Sequence, residues 1–350
     1  MRILHLANHV EEIGNGIVNV MVDLACEQSK MGHDVSVASG GGSYETLLHS
    51  YGVSHYVLDQ SRKPSSMLQA FFRFRTLVRK VKPDVIHAHM MTGALLSRLL
   101  KGMNRYKLVT HVHNEFQKHA DLMRVGDSVI AVSQAVSESM AGRGIRHDKL
   151  RVILNGTVGS PRKHAAAKRE LKGKAIVTVA GMYARKGIAD LIEAFDLIAR
   201  EVEDAHLYIV GNGPDRSQFE QLAACSEYRD RIRFEGFQRD PYSYMTAADV
   251  FVLASHREPF GLVLIEAREA GCAIVATSVD GIPEALDNGE AGMLVPPRNP
   301  RLLAEAVIGL LAYPERQLEY RRRAGEGLWA YDVKRVADET MKVYAEVLVK

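Results

Sequence analysis

The chain has 350 residues, 47% of them hydrophobic and 25% charged, a formal net charge of +3, and three scattered cysteines, Cys26, Cys225 and Cys272. That composition is ordinary for a globular protein, and the length favours two domains over one. It excludes a disulfide framework and a spanning helix, since no apolar run nears the roughly 18 residues required. No signal peptide is expected, and a reducing, cytoplasmic setting is.

Residues 1–8 read as a strand and 10–16 as a loop holding Gly14 and Gly16. Residues 17–30 read as a helix, with Val18, Met21, Val22 and Ala25 at helical spacing and Gly32 as its stop. A second strand follows over 34–38. Strand, loop, helix and strand in this order open a doubly wound parallel sheet. Gly14-Asn15-Gly16 lacks the third glycine of a dinucleotide fingerprint, and no acid ends the second strand, so NAD is not expected. A long helix over 65–81 mixes Phe71, Phe72 and Phe74 with Arg73, Arg75 and Arg79. Strands are expected over 85–88, 107–111, 127–132 and 150–154, and a helix over 92–101. Between Arg62 and Lys107 eleven basic residues face one acid, Asp84. Such a surface favours an anionic partner. Docking of the 65–82 helix on an anionic membrane surface competes with plain burial of its Phe face. No nucleic-acid partner is expected.

Residues 159–173 lose apolar periodicity and are the candidate linker. The pattern then restarts: strand 175–180, a glycine- and base-bearing loop 181–187, helix 188–201, strand 206–210, helix 217–224 and strand 232–235. After the 248–284 stretch come a strand over 293–295, a helix over 300–311, and a tail from 314 expected to be helical throughout. The chain thus reads as two α/β halves, each opening on its own strand–loop–helix. A cleft between two such sheets is a natural ligand site.

The stretch 248–284 is the most informative. It reads as a buried strand over 248–254, a charged loop, a helix to Ala270 stopped by Gly271, and a strand over 272–277. Glu258 and Glu266 frame the loop and helix start, eight positions apart. Helix N-terminal amides near Phe260, Gly261 and Leu262 attract phosphate, and an acid inside the helix can accept from sugar hydroxyls. Arg185 and Lys186 follow the first strand of the second half, at the same sheet edge, and suit a diphosphate. No Asp-x-Asp occurs in the chain, so charge neutralisation by bases and amides is favoured over a divalent metal. His87 and His89, and His111 and His113, stand at strand ends as two His-x-His pairs. Residues two apart share a strand face, which permits a zinc site, but no Cys or acid pattern completes one. A histidine on a substrate hydroxyl, or a structural role for His87 and His111, is the favoured reading. Neither a nucleophile elbow nor a P-loop is present.

These pieces together resemble a family. EPFGLVLIE, from Glu258 to Glu266, is followed by EAGCAIVAT, DGIPEAL and NGEAGMLVPP, and preceded by GMYARKGIADLIEAF, LYIVGNGP and IRFEGF. The first half supplies GNGIVNVMVDLACEQSKMGHDVSV, DVIHAH, THVHN, AVSQAV and LNG. In order, over nearly the whole chain, they resemble the family 4 retaining glycosyltransferases of the GT-B fold, glycosyl transferases group 1. The resemblance implies two Rossmann-like parallel-sheet domains facing across a cleft. Residues 1–160 would bind acceptor, 161–330 would bind donor, and a helix over 331–350 would cross back to the N-domain.

It also implies a sugar moved from a nucleotide diphosphate sugar (UDP-, GDP- or ADP-sugar) to a hydroxyl of a glycan or glycolipid acceptor. Anomeric configuration is retained, and neither metal nor cofactor is needed. Gly14 and Gly16 would lie near donor phosphates and acceptor, His113 on the transferred sugar, Lys186 on the diphosphate and Glu258 on sugar hydroxyls. The amides of Phe260, Gly261 and Leu262 would meet sugar or phosphate, and Glu266 the ribose. Where the family often has Gly-Arg, this chain has Gly181-Met182, with Arg185 the candidate substitute. The family's Asn-Gly-x-Asp is Asn155-Gly156-Thr157-Val158, without the acid. A non-catalytic sugar-nucleotide or glycan-binding subunit and a nucleotide-sugar epimerase are the alternatives. The expected location is cytoplasmic, with peripheral attachment to the inner face of a membrane as the option.

Overall fold

The computed structural model describes residues 1–60, 64–102, 105–162 and 169–349, with backbone alone for 64–68. Arg62 and Lys63 of the basic run, and 163–168 of the candidate linker, lie outside the described residues. The chain divides into two compact units, Met1–Lys163 with Tyr331–Lys350, and His164–Ala330.

Unit 1 contains, in chain order, β1 (Arg2–Leu6), α1 (Gly16–Lys30), β2 (Asp34–Ser39), α2 (Glu45–Ser50), β3 (Ser54–Val57), α3 (Pro64–Val81) and β4 (Val85–Ala88). It continues with α4 (Met91–Lys101), β5 (Lys107–Val112), β6 (Ser128–Ala131), α5 (Gln134–Gly142) and β7 (Leu150–Val152). Its seven strands lie in the order β3-β2-β1-β4-β5-β6-β7, every pairing parallel. Because helices cover both faces of such a sheet, its central strands are buried on both sides: all four residues of β4 and of β6 are. Strand order reverses between β1 and β4, which makes that pair the switch point where loops diverge at the carboxyl edge.

Unit 2 contains β8 (Lys174–Val179), α6 (Ile188–Glu201), β9 (Ala205–Val210), α7 (Arg216–Ala224), β10 (Ile232–Gly236), α8 (Tyr242–Thr246) and β11 (Val250–Leu253). After these come α9 (Leu262–Glu269), β12 (Ala273–Thr277), α10 (Ile282–Ala285), β13 (Met293–Val295), α11 (Pro300–Ala312) and α12 (Pro314–Ala324). Six parallel strands run β10-β9-β8-β11-β12-β13, with the switch point between β8 and β11. Leu191, Ile192, Phe195 and Ile198 recur on one face of α6 and fill the core with Leu303, Val307 and Leu310 of α11.

The last helix, α13 (Val333–Val349), belongs to unit 1. Its Val336, Val343, Tyr344 and Val347 join Val18, Met21, Val22 and Ala25 of α1 in one core. The tail is therefore not helical throughout. It breaks after Ala324 into a 3-10 turn, Leu328–Tyr331, because Gly325 caps α12 and Gly327 sits at φ +69°. The start of the candidate linker is also anchored. Arg162 grips the buried Asp23 of α1 through both carboxylate oxygens at 2.7 and 2.9 Å, and Ser160 Oγ donates to Asp23 at 2.7 Å.

Candidate active site

In unit 2 the switch point brings two sequence-distant loops together. β8 and β11 are parallel neighbours, so the loops after both leave from one sheet edge. The loop after β8 closes in a 3-10 turn, Ala184–Lys186, and Gly187 at φ +65°. A Cβ on Gly187 would lie 1.8 Å from the carbonyl oxygen of Ala254, so only glycine lets the backbones touch there. His256 N donates to Arg185 O at 2.8 Å across the same contact.

The result is a direct ion pair. Lys186 Nζ donates to Glu258 Oε2, the two side chains 13% and 10% exposed. Ser255 Oγ donates to the same oxygen at 3.4 Å. The Glu258 backbone is clamped too: its N–H donates to Asp280 Oδ2 at 2.9 Å, and its carbonyl accepts from Gly281 N at 3.1 Å. Gly281 is forced by the same crowding, for a Cβ there would meet Pro259 O at 2.2 Å. Phe260 is buried, Gly261 at φ +91° caps α9, and Leu262 begins it. Glu266 follows one turn later, half-buried.

The arginine question resolves in detail. Met182 is fully buried in the unit 2 core and carries no charge to offer a phosphate. Arg185 instead directs Nη1 at Arg257 O, 3.4 Å away, and holds its guanidinium 5.7 Å from the Tyr183 ring. Lys186 is thus the cation that meets an acid in this loop, and a diphosphate arriving there would have to compete with Glu258 for it.

The unit 1 candidates occupy the other sheet's carboxyl edge. Gly14, at φ +70°, is in the loop after β1. Gly16 opens α1 behind Asn15, whose Oδ1 accepts from Ile17 N at 3.0 Å. His113, just past β5, faces a cavity of about 20 Å³ lined by Ile17, His89, His111 and Asn114, room for one water or one hydroxyl.

Behind His113 stands a layer of histidines. His5 of β1 pairs in register with His87 of β4, and His89, His111 and His113 continue the same face toward the strand ends. All five are buried. The rings stack, His111 on His113 with centroids 3.9 Å apart and His87 on His89 at 4.2 Å. Burial pushes every one down: His5 to about 4, His113 to about 3, and His87, His89 and His111 well below their ordinary value. The imidazoles are neutral at pH 7. In each of two trios, His5–His87–His89 and His89–His111–His113, one nitrogen from every ring lies within 4.8 Å of the others, so neutral donors for a transition metal are present. Yet the nitrogens of His5, His89 and His113 face one another at 3.0 Å, which is hydrogen bonding rather than convergence on a common centre.

Sequence reasoning saw the two His-x-His pairs but not His5, Gln28 or Tyr344, which complete the layer. The available signal was an imidazole amid the apolar residues of a first strand, RILHL.

Comparison with known proteins adds the family. Residues 160–327 match the model described as Glycosyl transferases group 1, and residues 14–158 match Glycosyltransferase Family 4. Glycogen synthase of Mycobacterium tuberculosis is 30% identical over 305 residues, covering 80% of this chain and 73% of that protein. N-acetyl-alpha-D-glucosaminyl L-malate synthase of Bacillus anthracis is 26% identical over 364 residues, 96% of this chain and 94% of its own. The crystal structure of HepE from Anabaena, in complex with UDP and glucose, superposes with a TM-score of 0.84 at 19% identity, over 99% of this chain and 100% of that one. That likeness concerns the GT-B fold. On the two family models and the glycogen synthase relationship, the chain belongs to the group 1, family 4 glycosyltransferases.

Proposed function

We propose that this glycosyltransferase moves a sugar from a nucleotide diphosphate sugar to an acceptor hydroxyl with retained anomeric configuration and without a metal ion. The observation that carries the reading is the Lys186–Glu258 pair at the switch point of unit 2, beside the first turn of α9. Leaving-group departure is the demanding step, because negative charge grows on the β-phosphate. Lys186 and the helix N-terminus stabilise that charge electrostatically. When the diphosphate takes Lys186, Glu258 is released to accept from sugar hydroxyls. The departing phosphate removes the acceptor proton on the same face, so no separate general base is required. Glu266 holds the ribose, the amides of Phe260, Gly261 and Leu262 the sugar or phosphate, His113 a sugar hydroxyl, and Gly14 and Gly16 the approach of phosphates and acceptor. The absence of any Asp-x-Asp favours this cationic solution over a metal.

The pathway is the assembly of a cell-surface polysaccharide, lipopolysaccharide or glycolipid. Relatives named for lipopolysaccharide core biosynthesis and for phosphatidyl-myo-inositol mannosyl transfer support it. No helix among the described residues is long and apolar enough to cross a membrane. Membrane work would be peripheral, through the exposed face of α3, where Phe72, Arg73, Arg79 and Lys80 lie open while Phe74 and Leu77 are buried. Arg75 is only half-exposed and contributes less than its sequence neighbours.

A thermal-shift screen of UDP, GDP, ADP and their sugars identifies the donor. With it in hand, Lys186→Ala is expected to weaken nucleoside-diphosphate affinity tenfold or more by calorimetry. Glu258→Ala leaves that affinity equal or tighter, since Lys186 loses its competitor, while turnover falls by about 10²–10³. Near-normal turnover in Glu258→Ala, or unchanged affinity in Lys186→Ala, removes the assigned roles. Complete lack of donor turnover and donor hydrolysis in the native protein would favour a non-catalytic sugar-nucleotide-binding subunit instead.

A further inference from the structure

The histidine layer is a chain of hydrogen bonds with a direction. His113 Nε2 meets His89 Nδ1 at 3.0 Å, His89 Nε2 meets His5 Nδ1 at 3.0 Å, and His5 Nε2 meets Gln28 Oε1 at 2.8 Å. On its other side the Gln28 amide nitrogen donates to Tyr344 Oη at 3.4 Å, and that hydroxyl lies 2.5 Å from His87 Nδ1. All six residues are buried, and every link among the histidines runs head to tail, Nε2 to Nδ1.

A neutral imidazole carries one proton, so fixing it at one nitrogen empties the other. A side-chain carbonyl oxygen only accepts. With Gln28 Oε1 facing it, His5 must hold its proton on Nε2 and present a bare Nδ1. His89 must then donate from Nε2, and His113 likewise. His113 Nδ1 is left without a proton, and it has no hydrogen-bond partner within the protein. The other branch agrees. Tyr344 accepts from Gln28, so its hydroxyl proton goes to His87 Nδ1, which places the His87 proton on Nε2. Turning the Gln28 amide over would reverse every proton and convert His113 Nδ1 from acceptor to donor. Burial keeps the rings neutral, the condition under which the relay operates.

We propose that Gln28 is a positioning residue that, through His5 and His89, presents His113 with a bare Nδ1, so that His113 accepts a hydrogen bond from a hydroxyl of the bound sugar and never donates one. The inference rests on the reading of His113 as a sugar-binding residue. It deepens that reading by stating the sense of the hydrogen bond and naming the buried residue, Gln28 on α1 three links away, that sets it. A sugar lacking the matching hydroxyl proton, a deoxy or O-methyl analogue, would leave Nδ1 unanswered.

The test is nitrogen-15 spectroscopy of the histidine side chains in the unliganded protein at pH 7, which reports directly which ring nitrogen is protonated. The expected result is Nε2–H at His5, His89 and His113. Gln28→Glu keeps an acceptor against His5 and is expected to keep that pattern. Gln28→Met removes the acceptor and is expected to give a mixture at His113, with kcat lowered in proportion to the fraction in the wrong tautomer, about twofold for an even mixture. Protonation of His113 at Nδ1 in the native protein overturns the proposal, as does an unmixed Nε2–H signal in Gln28→Met. Normal transfer by His113→Phe, with the native signals as expected, would instead remove the sugar from His113 and leave the relay standing.

Discussion

The histidine layer makes unit 1 sensitive to mild acid, and the size of the effect can be worked out. Each of the five imidazoles is buried and titrates far below its ordinary 6.5, His5 at about 4 and His113 at about 3. The unfolded chain binds a proton at each near pH 6.5, while the folded chain does not. Between the two values the unfolded state holds more protons, so stability rises with pH and is lost as pH falls. For one such group, lowering pH from 7 to 6 removes somewhat under about 1 kcal/mol. Five such groups together remove roughly a few kcal/mol over that single unit, a large share of the whole stability of a typical domain. The assay is urea unfolding at pH 7 and pH 6, followed by hydrogen exchange in peptides covering β1, β4 and β5. The control is His111→Phe, because neither His111 ring nitrogen has a hydrogen-bond partner. It removes one titrating group without breaking a hydrogen bond and should make the fall smaller. A fall below about 1 kcal/mol in the native protein, or stability that grows in acid, would refute the reasoning.

Two further outcomes follow from the backbone and the surface. Gly187→Ala places a methyl against the Ala254 carbonyl and a side chain at a left-handed φ. The strain of the conformation alone costs about 1–2 kcal/mol, and the clash must also part the two loops that pair Lys186 with Glu258. Denaturant titration should show a loss of at least that much, together with weaker donor binding; unchanged stability would mean the loops are not in contact. On α3, neutralising Arg73 and Arg79 together should abolish sedimentation with anionic liposomes while leaving transfer to a soluble acceptor intact. A native protein that ignores such liposomes ends the membrane reading.

Much of the architecture was legible because parallel strands buried on both faces write themselves as apolar runs. β13 and α6 match their expected limits, and β4 does as well. The elements not anticipated, α2, β3, α5, α8 and α10, are short, from four to nine residues. In such pieces three buried residues at most leave no periodicity to read. Ser133, which accepts from Val136 N, was the cap that could have announced α5. The site was legible in part. Glu258, Lys186 and the α9 start follow from position after a strand. Their pairing depends on β8 and β11 being neighbours, which is topology and not local sequence. Nothing near Gln28 or Tyr344, 316 positions apart, signals that the two share a hydrogen bond. Met182 shows the reverse limit: a motif predicts a cation, while the chain buries a methionine in the unit 2 core at that position.

The return of α13 to unit 1 also bears on how the protein is made. Unit 1 is assembled from the first and last segments of the chain, with all of unit 2 encoded between them. During synthesis the seven-stranded sheet emerges before unit 2, but its α1 face waits for Val336, Val343, Tyr344 and Val347 until unit 2 has been translated. Unit 2 is complete and can fold before then. The half of the molecule translated first is therefore the half finished last, and a nascent chain stalled before residue 333 would carry an uncovered apolar face and an incomplete proton relay.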